Sequence, residues 1–337
     1  MVLETKRLIL RPWEESDAGE LYRYASDPRI GLSAGFPPHT SVEDSRRFIR
    51  EVLSEPETYA VILRDTGLPV GSAGIMKARC PQARENELEI GYWIGVPYWG
   101  RGLIPEAVRR LQRRCFLELG CVGIWCGYYE GNEKSRRVQE KCGFTYRYTQ
   151  KDHVCSLIDR VCDEHFTYIT REEWERADAL ERFWQRFLAV SGRGDGTRYS
   201  EAFHFETNRR DADKLLGLVL SGKKRATSSA LPCYELEGED IPKAGELSIV
   251  TDFAGKPYCV IETTRVTVIP FSRMTFDICS REGEDDTLAS WQEKHRRFFS
   301  CDARECGYEF NEDMPVVFED FEVLYQEDWT EETTDDF

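Results

Sequence analysis

Glu89-Ile90-Gly91-Tyr92-Trp93-Ile94-Gly95-Val96-Pro97-Tyr98-Trp99-Gly100-Arg101-Gly102-Leu103-Ile104-Pro105-Glu106-Ala107 is the stretch on which the reading of this chain turns. An apolar strand over residues 87–96 runs into a glycine-flanked turn. A helix then opens near Ile104, with Pro105 in the first turn, where its missing N–H costs little. The first turn of a helix carries unpaired N–H groups and a partial positive charge. Glycines let that backbone approach a phosphate closely. The turn at Gly100-Arg101-Gly102 is therefore suited to a pyrophosphate, with Arg101 adding a charge-assisted contact. Taken alone, a G-x-G at a helix start fits an empty tight turn as well as a ligand.

The surroundings extend the pattern. Leu8 to Arg11 reads as a short strand stopped by Pro12, and Ser16 or Asp17 caps a helix. Ser41-Val42-Glu43-Asp44 opens a second helix. Residues 59–63 and 69–75 are apolar runs split by Asp65-Thr66-Gly67, a hairpin signal. Apolar residues at helical spacing from Leu103 to Leu119 give a long helix with arginines on its other side. Residues 122–129 form a strand, 134–141 a short helix ended at Gly143, and 154–162 and 165–169 closing strands. This order predicts an α+β fold around one mixed sheet.

A second domain follows. The 337 residues suit two domains of ordinary size. The boundary is expected near 172–180, just before a helix that reaches Val190. Beyond it lie a helix at 211–220, strands at 246–251, 257–269 and 316–325, and a helix at 287–299. The domains are set at 1–175 and 180–330, with an acidic tail at 331–337. From residue 177 onward there are 34 acidic and 19 basic residues, out of 61 and 45 in the chain, so the acidity belongs to the second half. Such charge disfavours nonspecific nucleic-acid binding by the surface as a whole, though a locally basic cleft remains open. There is no long apolar run and no signal-peptide pattern, so the chain is expected to be soluble and cytoplasmic. Its twelve cysteines form no C-x-x-C pair and no zinc pattern, and most are expected as buried free thiols.

Two further blocks give the first half its family. Asn132-Glu133-Lys134-Ser135-Arg136-Arg137-Val138-Gln139-Glu140-Lys141-Cys142-Gly143-Phe144 follows the next strand, and Thr5-Lys6-Arg7-Leu8-Ile9-Leu10-Arg11 precedes everything. With the turn, these blocks resemble the GNAT acetyltransferase superfamily over about residues 1–175, most closely its RimJ/RimL branch of ribosomal-protein N-acetyltransferases. The resemblance implies acetyl-CoA as cosubstrate. It implies that Trp99, Gly100, Arg101, Gly102, Leu103 and Ile104 bind the pyrophosphate through backbone amides. The backbone around Ile94 and Val96 would pair with the pantetheine arm, Asn132 would contact the cofactor, and Ser135 would protonate the departing thiolate. Where the family's loop usually begins with Gln or Arg, this chain has Pro97; backbone contacts tolerate the change.

The implied chemistry needs a base for the acceptor amine and donors for the oxyanion. Glu89 shares a strand face with Gly91 and Glu87, and is expected as the base, directly or through water. The alternative is a solvated face of carboxylates. Tyr128 and Tyr129 are alternates to Ser135 as the acid, or else packing residues. Residues 31–39 are expected to line the acceptor's entrance; the acceptor itself stays open.

In the second half, Ser221-Gly222-Lys223-Lys224-Arg225-Ala226-Thr227-Ser228-Ser229 is a basic turn after a helix. On residues alone it reads as cations complementing a helix C-terminus. Trp184 with Phe187, the run 241–246, Arg281-Glu282-Gly283-Glu284, Trp291 with His295, and Asp313 to Val317 fall in an order that resembles the ASCH domain, a β-barrel domain related to PUA-type RNA-binding domains. The resemblance implies RNA or nucleotide binding. Some small members hydrolyse N4-acetylcytidine, and their Lys-x-x-Thr and later Glu match Lys224, Thr227 and Glu282. Glu282 could equally be a structural ion pair for Lys224. Three readings follow: an N-acetyltransferase for a primary amine, with an accessory ASCH domain; a non-catalytic binding protein; and a bifunctional pair whose ASCH domain is an amidohydrolase. No metal is expected.

Overall fold

The computed structural model describes residues 1–155, 157–194, 196–206 and 208–327, so the expected acidic tail lies outside the described residues. The chain divides into two compact units, Met1–Ala177 and Asp178–Phe337. The division falls inside the helix Arg171–Ser191 and not before it. Apolar residues at both ends of that helix explain why the sequence shows no break. Trp174 belongs to a core of the first unit, Phe183, Trp184 and Phe187 to one of the second. No helix among the described residues is long and apolar enough to cross a membrane.

The first unit is built on eight strands: β1 Leu3–Glu4, β2 Leu8–Arg11, β3 Thr58–Leu63, β4 Leu68–Lys77, β5 Glu87–Ile94, β6 Gly123–Tyr129, β7 Thr145–Cys155 and β8 Arg160–Thr170. They pair in the order β1-β2-β3-β4-β5-β6-β8-β7. Every pairing is antiparallel except β5 with β6. Helices cover both faces, as a two-sided mixed sheet requires. On one face the helix Leu103–Arg113 buries Leu103, Ile104, Ala107, Val108 and Leu111, and a short π-helical turn continues it to Glu118. Each fully buried leucine or isoleucine in this row contributes about 2 kcal/mol. On the other face lie the helices Ala18–Ala25, Pro28–Ala34 and Val42–Phe48, packed with Trp13, Phe36 and Trp93.

The closing strands differ from the expected ones. The turn between them includes residues 157–159, so β7 runs Thr145–Cys155 and β8 Arg160–Thr170. β7 is an edge strand whose first residues are mostly exposed, and so it carries no apolar period for the sequence to betray.

The second unit carries β9 Glu201–Phe203, β10 Ala226–Ala230, β11 Leu247–Thr251, β12 Pro257–Pro270 and β13 Pro315–Gln326, in the order β10-β13-β12-β11-β9. Register shifts in the long β12–β13 pair at Val260/Ile261 and Thr263/Arg265 increase the local twist. The sheet curls into a half-barrel, and among the described residues its edges β10 and β9 do not pair. The helix Leu288–Cys306 seats Trp291 and Phe299 against Phe271 and Phe318 in a core under this sheet. Ten cysteines are free, eight of them buried. Cys233 and Cys306 instead form a disulfide, with Cα atoms 5.8 Å apart, a pairing the 73-residue separation hides from the sequence.

Candidate active site

β5 and β6 pair only through Glu87–Glu89 against Gly123–Trp125. Beyond that point they separate, although both strands continue, to Ile94 and Tyr129. Gly95 N–H donates to Val70 O (2.8 Å), so the odd residues of β5 spend their backbone groups on β4. The even residues Ile90, Tyr92 and Ile94 therefore turn theirs into the gap. Two side chains reach those carbonyls: Cys126 Sγ lies 3.1 Å from Ile90 O, and Trp99 Nε1 donates to Ile94 O (3.0 Å). The backbone at Ile94 thus faces an open edge, but its carbonyl is bonded to Trp99.

The turn that follows has Gly100 at φ 74° and Gly102 at φ 70°, conformations that L side chains rarely adopt. Gly102 is the N-cap of the helix from Leu103. Among the described residues no backbone acceptor outside the helix is found for the N–H groups of residues 100–104. Arg7 braces the loop. Its guanidinium donates to Arg101 O (2.9 Å) and Gly102 O (3.1 Å), and its Nε to Glu106 Oε2 (2.6 Å). With the carbonyls tied back, these N–H groups make a nest of a geometry that suits an anion. Lys134 Nζ stands 3.9 Å over the Trp99 ring and Arg101 over Tyr98, which puts two cations beside the nest.

Ser135 sits on the same side of the sheet, in the first turn of the helix Glu133–Lys141. Asn132 caps that helix, its Oδ1 accepting from Ser135 N (3.2 Å). Ser135 Oγ is 3.0 Å from Tyr92 Oη and accepts from Gln139 Nε2 (3.2 Å), which also donates to Gly127 O (3.0 Å). Burial raises the Tyr92 phenol well above its ordinary range, against the lowering effect of Ser135 and Gln139. Tyr92 therefore stays protonated beside Ser135.

Carboxylates occupy the opposite face. Glu89 is 1% exposed, and Arg79 wraps it: Arg79 N donates to Oε2 (2.9 Å), Nε to Oε1 (3.1 Å), and Nη2 also to Oε1. Glu87 is equally buried, accepting from Arg84 N, Trp125 Nε1 (2.8 Å) and Tyr168 Oη (2.7 Å). The alternative of a solvated carboxylate face is overturned. Both residues are buried because Arg79, Arg84 and the rings of Trp125 and Tyr168 close over them. Tyr129 stacks on His153 (6.1 Å) and approaches Gly35, within the expected entrance segment, whereas Tyr128 stacks on His165 (4.8 Å). His39 is buried, bonded to Ser45 Oγ (2.8 Å), and burial lowers its pKa. Sequence reasoning gave no role to Arg7, Arg79, Tyr92 or Glu164. Alternation from Gly91 would have turned Tyr92 toward the helix that carries Ser135.

This architecture matches what known proteins show. The family model of the acetyltransferase (GNAT) domain matches residues 7–145. The uncharacterized N-acetyltransferase p20 of Bacillus licheniformis is 33% identical over 51% of this chain and 97% of its own length. The uncharacterized N-acetyltransferase YnaD of Bacillus subtilis (strain 168) is 27% identical over 52% of this chain and 99% of its own. The chain belongs to the GNAT acetyltransferase family. It is an N-acetyltransferase, and acetyl-CoA is its acetyl donor. The family model of the ASCH domain matches residues 201–325 of the acetyltransferase. The crystal structure of an ASCH domain from Lactobacillus crispatus JV V101 is 38% identical, covering 44% of this chain and 96% of its own, with a TM-score of 0.42.

The ASCH domain of this acetyltransferase holds a buried polar cluster. Lys224, 2% exposed, pairs with Glu284 and lies 5.1 Å from the Phe205 ring centre. Its ion-pair partner is thus Glu284, two residues from the expected Glu282. Glu282, 1% exposed, accepts from Ser228 Oγ and from Trp291 Nε1 (2.8 Å), with His295 Nε2 at 3.2 Å. Burial raises the Glu282 carboxyl. His295, Lys224 and Ser228 together outweigh burial and bring it down to about 2. Ser228 follows Thr227 on a strand, so the two point to opposite faces. The structure therefore brings Lys224 and Glu282 into one cluster and turns Thr227 away, toward its cross-strand partner Glu319.

Proposed function

We propose that this chain transfers the acetyl group of acetyl-CoA to a primary amine, on a protein N-terminus or a small molecule. The observation that carries the reading is the gap between β5 and β6, with an anion nest at one end and the Ser135–Tyr92 pair along its wall. The nest suits a pyrophosphate, and Trp99 to Ile104 are its contact residues. The open edge at Ile94 and Val96 suits an extended arm with amides of its own; Trp99 must then release the Ile94 carbonyl. Asn132 fixes the helix that presents Ser135. Ser135, backed by the neutral Tyr92, gives its proton to the leaving thiolate.

The direct-base role expected of Glu89 gives way to an anchoring one. Its oxygens are engaged by three donors of Arg79, and at 1% exposure it reaches an acceptor only through water. For the ASCH domain we propose accessory binding of RNA or a nucleotide. Lys224 is already neutralised by Glu284, so it supports neither a free phosphate contact nor a ready nucleophile. With ten free cysteines among twelve, the setting we propose is the reducing cytoplasm, where Cys233–Cys306 is the pair open to reduction.

Calorimetry with acetyl-CoA, followed by thiol release over amines, peptide N-termini and nucleosides, tests this reading. Micromolar binding and turnover with at least one amine are expected. No binding of acetyl-CoA would remove the reading.

A further inference from the structure

The acceptor side of the gap contains a carboxylate that the reading above leaves unused. Glu164, on β8, is 4% exposed. Arg79 Nη2 is 3.9 Å from its Oε1 and His153 Nε2 is 3.5 Å from its Oε2, and among the described residues no donor completes a hydrogen bond to either oxygen. A buried charge held this loosely is costly. Burial accordingly raises its pKa, with Arg79 and His153 opposing and Glu89 adding to the rise. Arg79 is committed first to Glu89. Two buried carboxylates thus share one guanidinium, and His153 is the other group that faces Glu164.

The backbone of β6 leaves room for this carboxylate beside it. Glu164 lies opposite Tyr129 on β6, and a Cβ on Gly127 would come within 2.9 Å of Glu164 Oε1. Only glycine at 127 leaves that approach open. Gly127 is also the residue whose carbonyl accepts from Gln139, the partner of Ser135. Ser135 and Glu164 therefore meet the same strand residue from its two faces, at the point where β5 and β6 part. On β7 a register shift between Gln150 and His153 disrupts the ladder, and Asp152 adopts φ 49°. Bulges of this kind re-aim side chains beside functional sites, and this one presents His153 to Glu164.

We propose that Glu164 is the acceptor-site carboxylate of this acetyltransferase: it binds the ammonium of a primary alkylamine and takes its proton. The proposal rests on the acetyl-transfer reading above. R–NH3+ and acetyl-CoA become R–NH–CO–CH3, CoA-SH and one proton. The first ammonium proton goes to Glu164 and leaves through His153, whose side chain is 25% exposed. The freed lone pair forms the N–C bond as the C–S bond breaks. The second ammonium proton replaces the one that Ser135 gives to sulfur, and the third stays on the amide. Arg79 keeps Glu164 in place while remaining bonded to Glu89.

The test compares two minimal nucleophiles on the full-length protein near neutral pH, ethylamine, which is protonated, and hydroxylamine, which is neutral. For Glu164→Gln we expect kcat/KM to fall on the order of 100-fold with ethylamine and by less than about 3-fold with hydroxylamine. Acetyl-CoA affinity should be unchanged. The variant should melt at or above the wild-type temperature, because a buried carboxylate without a close hydrogen-bond donor is gone; loss of a structural ion pair would lower it. Glu164→Asp, which keeps the charge but withdraws it by a methylene, should show the same contrast in weaker form and carries the test if the amide variant does not fold. Equal losses on both nucleophiles, no loss, or a wild type that binds acetyl-CoA without acetylating ethylamine would overturn the proposal. A wild type that does not bind acetyl-CoA would instead strike the reading beneath it.

Discussion

Arg7 holds the carbonyl of Gly102, in the glycine turn before the helix at Leu103, at 3.1 Å, with a second bond to Arg101 O. The two residues are 95 apart in sequence, yet the fork of one guanidinium fixes the direction of the loop's N–H groups. Lysine cannot reproduce that fork. Arg7→Lys should raise the Kd for acetyl-CoA about tenfold, the equivalent of ~1.4 kcal/mol, with little change in kcat. Calorimetry and initial rates check it. An unchanged Kd would mean that the loop holds its shape without the brace.

The Ser135–Tyr92 contact at 3.0 Å gives a second expectation. Ser135→Ala should lower kcat by about 100-fold, the low end for a lost proton donor, with acetyl-CoA affinity kept. Tyr92→Phe leaves Ser135 its hydroxyl but removes the partner, and should cost less, about tenfold. Thiol release at saturating acetyl-CoA measures both. A Tyr92→Phe effect as large as that of Ser135→Ala would make the tyrosine the proton donor.

The glycine turn before the helix at Leu103 and the main sheet were legible because each rests on local signals: glycine and proline at fixed offsets, and apolar periodicity in strands and helices. The division at Ala177/Asp178 falls within the expected 172–180, but that one unbroken helix crosses it was not legible. The burial of Glu87 and Glu89 was not legible either. Alternation puts both on one face but cannot say that Arg79, Trp125 and Tyr168 will close over it. Glu164 was invisible for a related reason. Its meaning comes from Gly127, 37 positions earlier, and from a bulge on β7 that no residue pattern announces. The match of Lys224, Thr227 and Glu282 carried spacing but not direction: one step along β10 decides which face a hydroxyl takes, and Ser228 takes the one that meets Glu282.

The Cys233–Cys306 disulfide joins the helix Leu231–Glu237 to the end of the helix Leu288–Cys306. Closing a loop of 73 residues removes chain entropy worth about 4 kcal/mol from the unfolded state. Reductant, or Cys233→Ser, should lower the melting temperature of the ASCH domain and leave that of the acetyltransferase domain unmoved. Thiol titration of the denatured protein should give ten reactive groups before reduction and twelve after. Twelve before reduction would show the pair to be open in solution.

Glu282 makes the stability of the ASCH domain depend on pH. Burial alone would raise its carboxyl, but the His295 contact, the Lys224 charge and the Ser228 hydroxyl bring it from 4.5 down to about 2. A carboxyl depressed in the folded state stabilises the fold above its unfolded value, and the benefit drains away as pH falls through the window between them. The domain should therefore lose about 3 kcal/mol between roughly pH 5 and pH 2 on account of this one group. Glu282→Gln removes the titration while keeping an acceptor for Trp291 and Ser228. It should cost a similar amount at neutral pH and flatten the acid limb of the stability curve, so that variant and wild type converge near pH 2. Denaturant unfolding at a series of pH values measures this directly. If the two curves stay parallel down to pH 2, the carboxyl is not ionised in the fold, and the cluster around it is held by packing of Trp291 and His295 instead of by charge.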